Sequence, residues 1–108
     1  MSRTELIFLD MLFHALNNKD KLNLIFVSSK QAISSLYDYI PEKWHDKIKI
    51  NLNNNVIHCI HSNSRLMIKT PNAQPDHFRG IKIDWYEDNG YASYDAWKEL
   101  LMRRGHGN

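Results

Sequence analysis

The amino-acid sequence predicts an α/β fold with a small mixed sheet, flanking helices and an antiparallel hairpin, and three observations lead to this prediction. Helix-like and strand-like apolar patterns alternate along the first 40 residues. Two alternating segments on either side of Ser62-Asn63-Ser64 have the pattern of a hairpin. A short segment, residues 81–86, runs directly into Glu87 and Asp88, as when a buried parallel strand delivers carboxylates to the edge of a sheet.

Length and composition indicate one globular domain. The chain has 108 residues, of which 43% are hydrophobic and 24% charged, and its net charge of +2 is too small by itself to indicate nucleic-acid binding. We expect the domain to span residues 1–104 and residues 105–108 to form a disordered tail. The single cysteine, Cys59, excludes an internal disulfide framework, and no apolar run reaches the ~20 residues of a membrane helix. These features predict a cytoplasmic protein without a membrane partner.

The first half of the chain reads as helix, strand and helix. Apolar residues recur at helical spacing over residues 4–16, and the run LNLIFV at 22–27 has the length of a buried strand. Ser28-Ser29 can cap a second helix over 30–39, which Pro41 closes. This succession is typical of an α/β domain.

The second half is predicted to supply more strands and one more helix. Ile48, Ile50 and Leu52 alternate with polar residues, which predicts a half-buried strand. Strands at 56–61 and 65–70 form the hairpin, and a loop over 71–77 leads to the strand at 81–86. After a turn at Asn89-Gly90, Ser93 can cap a last helix.

The order of these segments resembles the ATPase core of phage large terminases, the P-loop motors that package viral DNA, in the T4-like branch. The resemblance is carried by the hairpin VIHCIHSNSRLMIKTP, the Arg79-Gly80 step, and residues 81–88, which look like a Walker B strand with its acids in the order Glu-Asp. LIFVSSKQAISSLYDYIP looks like the family's strand and helix before the hairpin, and YASYDAW is similar to the pattern after Walker B.

The resemblance implies roles for three residues, but one motif of the family is missing from the sequence. Glu87 and Asp88 would be the catalytic acids, which hold magnesium through water and activate the attacking water, and Arg79 would contact nucleotide phosphates. The phosphate-binding loop Gly-x-x-x-x-Gly-Lys-Ser/Thr is nevertheless absent from the sequence. The resemblance therefore implies a truncated P-loop NTPase-like fold that lacks Walker A, with no cofactor unless another chain completes a site for Mg²⁺ and ATP.

Two further groups of residues were candidates for binding. Alternation places Cys59 and His61 on one face of a strand and His58 on the other, so we expect no metal site there. A basic surface for nucleic-acid contact, with the solvent face of the strands as the alternative, would consist of Lys49, Arg65, Lys69 and Lys82.

These features predict a phage-derived, terminase-like ATPase-core remnant that acts as a non-catalytic binding or accessory protein in DNA packaging or phage–host interaction. Its partner would be another protein chain, of phage or host or a second copy, and nucleic acid is a further candidate. One alternative is a piece of a split packaging ATPase completed by another chain, which should leave an exposed sheet edge or an apolar patch beside residues 22–27. The other is a small metal-dependent enzyme, in which Glu87, Asp88 and a histidine should converge in a pocket.

Overall fold

A computed structural model describes residues 1–72 and 82–90, which form helices packed on a five-stranded sheet. The predictions for Arg79, for the helix after Ser93 and for the tail lie outside the described residues. The described elements are α1 (Arg3–Asn17), β1 (Leu22–Phe26), α2 (Lys30–Asp38), a 3-10 helix (Glu42–Lys47), β2 (Ile48–Asn51), β3 (Val56–Cys59), β4 (Ser64–Lys69) and β5 (Trp85–Glu87).

Helix α1 begins with a capping box. The Ser2 backbone N–H donates to Glu5 Oε1 at 2.6 Å, and the Glu5 N–H donates to Ser2 Oγ at 3.3 Å. The bond from the Ser2 backbone N–H favours the charged carboxylate and lowers the pKa of Glu5. The apolar side of the helix is fully buried and contributes Phe8, Met11, Leu12 and Ala15 to the core.

The sheet has the strand order β2-β3-β4-β1-β5. Strand β1 lies between β4 and β5 and is parallel to both, whereas β3 is antiparallel to β2 and to β4. The predicted mixed sheet and its hairpin, β3–β4, are confirmed. Every residue of β1 is buried, which explains why its segment is a continuous apolar run with only Asn23 as an exception.

The two faces of the sheet differ in character. The face that packs in the core with α1 and α2, here called the helix face, carries Asn23, Ile25, Ile48, Ile57, Cys59, Leu66, Ile68, Trp85 and Glu87. The opposite face, here called the outer face, carries Lys49, His58 and Arg65 on β2, β3 and β4. On β1 the outer face is apolar and buried, through Leu22, Leu24 and Phe26.

Hydroxyl groups tie the hairpin to the connection between α1 and β1. Ser62 Oγ donates to the Ala15 carbonyl at 2.6 Å, and Ser64 Oγ donates to the Asn18 carbonyl. Ser64 Oγ also accepts the Lys21 backbone N–H at 2.9 Å. These bonds fix the start of β4 against the start of β1, so that the two strands can pair in register.

Four residues in the tight turns between the elements adopt the left-handed backbone conformation, and all four are Asn or Asp. Asp20, Asn55, Asn63 and Asn89 have φ values of 58°, 53°, 57° and 52°. Asn and Asp adopt this region more readily than other side chains because their short polar groups can bond locally. Asn63 lies in the hairpin turn, which was predicted at Ser62-Asn63-Ser64 and is observed at residues 60–63, with Ser64 already in β4.

Two strand predictions need correction. In the segment predicted as a strand over 81–86, the described residues 82–84 lie outside the strand, which runs from Trp85 to Glu87. Asp84 donates its backbone N–H to the Leu22 carbonyl (2.8 Å), but the Leu22 N–H donates to the Asp84 carboxylate (2.9 Å) and not to a backbone carbonyl. The strand predicted over 48–52 is observed as Ile48–Asn51, but of its three alternating apolar residues only Ile48 is buried. Ile50 is 39% exposed and Leu52 is 70% exposed, because β2 is an edge strand that ends at Asn51.

Candidate functional site

The acid pair lies at the carboxyl end of β5, beside the end of β1. Glu87 is in register with Ile25 and projects from the helix face, where it is only 5% exposed. Its Oε2 accepts a hydrogen bond from Trp85 Nε1 at 3.1 Å. Trp85 and Glu87 can meet in this way because residues two apart on a strand share a face. The Glu87 carboxylate is therefore enclosed and has an indole as its neighbour.

Asp88 has a different environment. Its Oδ1 accepts the Gly90 backbone N–H at 2.9 Å, and the next residue, Asn89, donates from Nδ2 to the Phe26 carbonyl at 2.8 Å. Asp88 thus closes an Asx turn after β5 and helps to attach that turn to the end of β1. Each acid has its own hydrogen-bond partner, Trp85 for Glu87 and Gly90 for Asp88.

A polar cluster, which sequence reasoning missed, lies near Trp85 on the helix face. Asn23 Nδ2 donates to the Met11 carbonyl at 3.0 Å and lies 3.1 Å from His14 Nδ1, while the His14 ring contacts the Trp85 ring edge-on at 5.4 Å between centroids. Asn23 is fully buried, and its Oδ1 has no hydrogen-bond partner among the described residues. The signal in the sequence was an amide in the middle of an otherwise apolar strand.

The histidines and the cysteine of the hairpin do not converge. Cys59 is buried on the helix face, and burial raises the pKa of its thiol to about 11. His58 lies on the outer face with Nε2 3.2 Å from Asn63 Oδ1, and His61 is exposed beyond the end of β3. Within residues 1–72 and 82–90, no group of three or more His, Cys, Asp or Glu side chains is placed to hold a metal ion.

Two of the predicted basic residues, Lys49 and Arg65, come together on either side of a histidine. Lys49, His58 and Arg65 are direct cross-strand neighbours on the outer face, since Lys49 is paired with His58 and His58 with Arg65. Lys69 follows on the same face of β4, where burial lowers the pKa of its ammonium group. Lys82 lies elsewhere: its exposed ammonium group is 3.6 Å from Asp84, before β5.

The vacant edge that a split motor should leave beside residues 22–27 is not present, because β1 has a strand partner on each side. The edges of the sheet formed by the described residues are β2 and β5, so a strand from another chain would have to add there. None of the helices in the described ranges is long and apolar enough to cross a membrane.

Fold and site together define an α/β domain with a mixed five-stranded sheet, two acids at the end of an edge strand and a basic row on the outer face. Comparison with protein-family models, with curated proteins and with solved structures gave no match.

Proposed function

We propose that this chain is a phage-derived, terminase-like α/β domain that acts by binding, in DNA packaging or in phage–host interaction, and does not hydrolyse ATP by itself. The terminase-like part rests on the segment order in the sequence and is supported by β5, which runs parallel to β1 and ends in the acid pair. The absence of a Gly-rich phosphate-binding sequence supports a role without nucleotide hydrolysis.

The observation that carries the non-catalytic part is the enclosure of Glu87. A magnesium site in a nucleotide-hydrolysing enzyme needs open carboxylate oxygens, because Mg²⁺ keeps several waters in its octahedral shell and also binds the phosphates. Glu87 is 5% exposed and already accepts the Trp85 indole N–H. The neighbouring Asp88 is held by the turn at Gly90. Both carboxylates therefore stabilise the local structure and are poorly placed to bind a hydrated metal ion.

Calorimetric titration with Mg²⁺-ATP tests this proposal on the full chain and on the Glu87→Gln variant. We expect no saturable heat from either protein. Asp10→Asn, an exposed carboxylate on α1, is the matched control for the loss of one negative charge. Binding at micromolar concentration that Glu87→Gln removes and Asp10→Asn leaves intact would overturn the non-catalytic proposal and favour the metal-dependent enzyme.

The basic row supports nucleic acid as a second candidate ligand. Lys49 and Arg65 flank His58 on neighbouring strands, so two cations lie on one face of the sheet with a single imidazole between them. A phosphate backbone would neutralise these cations, and binding would weaken linearly with the logarithm of salt concentration. Lys82 is placed apart from this row and is not expected to contribute.

Fluorescence anisotropy with a labelled DNA duplex and with a single strand tests this candidate. We expect Lys49→Gln and Arg65→Gln each to weaken binding and to reduce the slope of its salt dependence by about one. Lys30→Gln, which removes an exposed charge at the start of α2, is the control. Equal losses for Lys30→Gln and Arg65→Gln would mean that only net charge matters and would exclude the row as a site.

A further inference from the structure

The edge of β2 that points away from β3 carries backbone N–H and C=O groups that no described strand pairs with, and the strand register identifies them. The Ile60 N–H donates to the Lys47 carbonyl at 3.0 Å, so Lys47 and Ile60 form a hydrogen-bonded pair across the two strands. Such pairs alternate with non-hydrogen-bonded pairs in an antiparallel ladder. Ile48 and Ile50 therefore occupy the non-hydrogen-bonded positions, and their N–H and C=O groups point away from β3. Among the described residues, no strand pairs with this edge.

An apolar groove opens on the helix face beside the same edge. It has a volume of about 340 Å³ and lies between the end of α2, the 3-10 helix and β2, where it is lined by Tyr37, Ile40, His45, Ile48 and Ile50. The Ile50 side chain is 39% exposed at the mouth of the groove. A side chain on a strand added to β2 would project into this groove if it lay on the helix face, because alternate residues of a strand share a face.

The outer face beside the same edge is basic. Lys49 projects from it between Ile48 and Ile50, and His58 and Arg65 stand behind Lys49 on the next two strands. A strand added to β2 would place every second side chain on the outer face, and the one opposite Lys49 would lie where a carboxylate is favoured and a cation is disfavoured.

We propose that the outer edge of β2 binds an extended segment of a partner protein in which apolar residues alternate with Asp or Glu. Its backbone would pair with Ile48 and Ile50, its apolar side chains would fill the groove, and its carboxylates would face Lys49, as in other cases of strand addition. A second copy of this chain fits less well, because β2 (IKIN) carries no carboxylate to face Lys49, and antiparallel pairing centred on residue 49 places two lysines opposite each other. Nucleic acid has no peptide backbone to pair with this edge.

Strand addition at β2 depends neither on the resemblance to terminases nor on the state of Glu87, and it assigns a partner surface that the proposed function does not. Failure of the nucleotide experiment would leave it untouched, and its own failure would leave the nucleotide result untouched.

The probe is a fluorescein-labelled peptide, GSVEVEVEVSG, and the matched probe is GSVKVKVKVSG. We expect the full chain to bind the glutamate peptide and to bind the lysine peptide at least about tenfold more weakly, because the lysine peptide places cations beside Lys49. Lys49→Glu should reverse this preference. Leu6→Ser, which changes an exposed apolar residue on α1, should have no effect.

Ile50→Pro is the decisive variant because it removes an N–H that points to solvent and leaves the β2–β3 bonds in place. Proline is tolerated on the open side of an edge strand, so circular dichroism and the unfolding midpoint should stay near wild type while peptide binding is lost. In wild type, the amides of Ile48 and Ile50 should exchange quickly with deuterium and become protected when GSVEVEVEVSG is added.

Several results would overturn the proposal. These are equal binding of the two peptides, absence of saturable binding, and retention of binding in a folded Ile50→Pro variant. Slow exchange of the Ile48 and Ile50 amides without peptide would mean that the edge is already covered. A dimer in light scattering that Ile50→Pro converts to a monomer would assign the edge to a second copy of the chain instead.

Discussion

Removal of one hydroxyl, in Ser64→Ala, tests whether the hairpin is anchored to the connection between α1 and β1. Ser64 is fully buried at the start of β4. Its Oγ donates to the Asn18 carbonyl and accepts the Lys21 backbone N–H at 2.9 Å. Alanine keeps the Cβ and removes both bonds, so two backbone groups lose their partner while the apolar packing is unchanged.

The expected loss follows from these two groups. The Lys21 N–H lies in a partly buried position, and leaving a buried donor without an acceptor costs about 1–3 kcal/mol. Asn18 is exposed, so its carbonyl can turn to water, and the loss there is closer to the net value of one hydrogen bond, about 0.5–1 kcal/mol. We expect Ser64→Ala to reduce the free energy of unfolding by about 2 kcal/mol.

Urea unfolding, followed by tryptophan fluorescence and by circular dichroism, measures this loss. The midpoint should fall while the dependence of the free energy on urea stays as in wild type. Ser35→Ala is the matched control, because Ser35 Oγ donates to the Gln31 carbonyl on the exposed side of α2 and its loss should change stability by less than about 0.5 kcal/mol. Equal, small effects of both substitutions would refute the anchoring role of Ser64.

Three other predictions follow from burial and backbone geometry. The buried Cys59 thiol has a pKa of about 11, so it should react slowly with a disulfide reagent at pH 8 in the native protein and rapidly in urea. Folding raises this pKa, so the protonated thiol favours the folded state. Its contribution to the free energy of unfolding is fully present below the unfolded pKa of ~8.5 and is lost as pH rises toward 11, which pH-dependent unfolding can measure. Leu66→Ala should reduce the free energy of unfolding by about 2–5 kcal/mol, because Leu66 is fully buried in the centre of the sheet. Leu52→Ala, at a residue 70% exposed, should cost less than about 0.5 kcal/mol, and equal losses would contradict the assignment of the core. Gly90→Ala should cost about 1 kcal/mol through the φ of +81° alone, since an added Cβ meets no atom within 4 Å, and a stabilised variant would contradict that backbone geometry.

The local elements could be predicted because their signals are local. The helix over 4–16 is observed as Arg3–Asn17, the strand at 22–27 as Leu22–Phe26, and the hairpin turns at residues 60–63, which overlap the predicted turn at Ser62-Asn63-Ser64. Capping residues, apolar periodicity and turn chemistry all act over a few residues, so each of these signals can be read from a short segment of sequence.

The positions of the strands in the sheet could not be predicted in the same way. Strand β1 bonds to segments far along the chain, such as Lys21 to Ser64 at a separation of 43 residues and Leu22 to Asp84 at 62. The buried amide of Asn23 and the exposure of Ile50 follow from this arrangement, which no short segment encodes.

The candidate site was predictable only in its parts. The acids at the end of a strand were visible as residue types, but the indole bond that encloses Glu87 depends on the strand starting at Trp85. The basic row was visible as scattered cations, yet the cross-strand register decides that Lys49 and Arg65 meet at His58 while Lys82 does not.

The central position of β1 has a consequence for how the protein is made on the ribosome. Strand β1 is synthesised before both of its parallel partners, since it begins at Leu22 whereas β4 begins at Ser64 and β5 at Trp85. A nascent chain that stops before Trp85 therefore carries an apolar strand with one edge unpaired, the kind of surface that promotes aggregation and is bound by chaperones. Slow translation of the segment before β5 would prolong that exposure, and fast translation would shorten it.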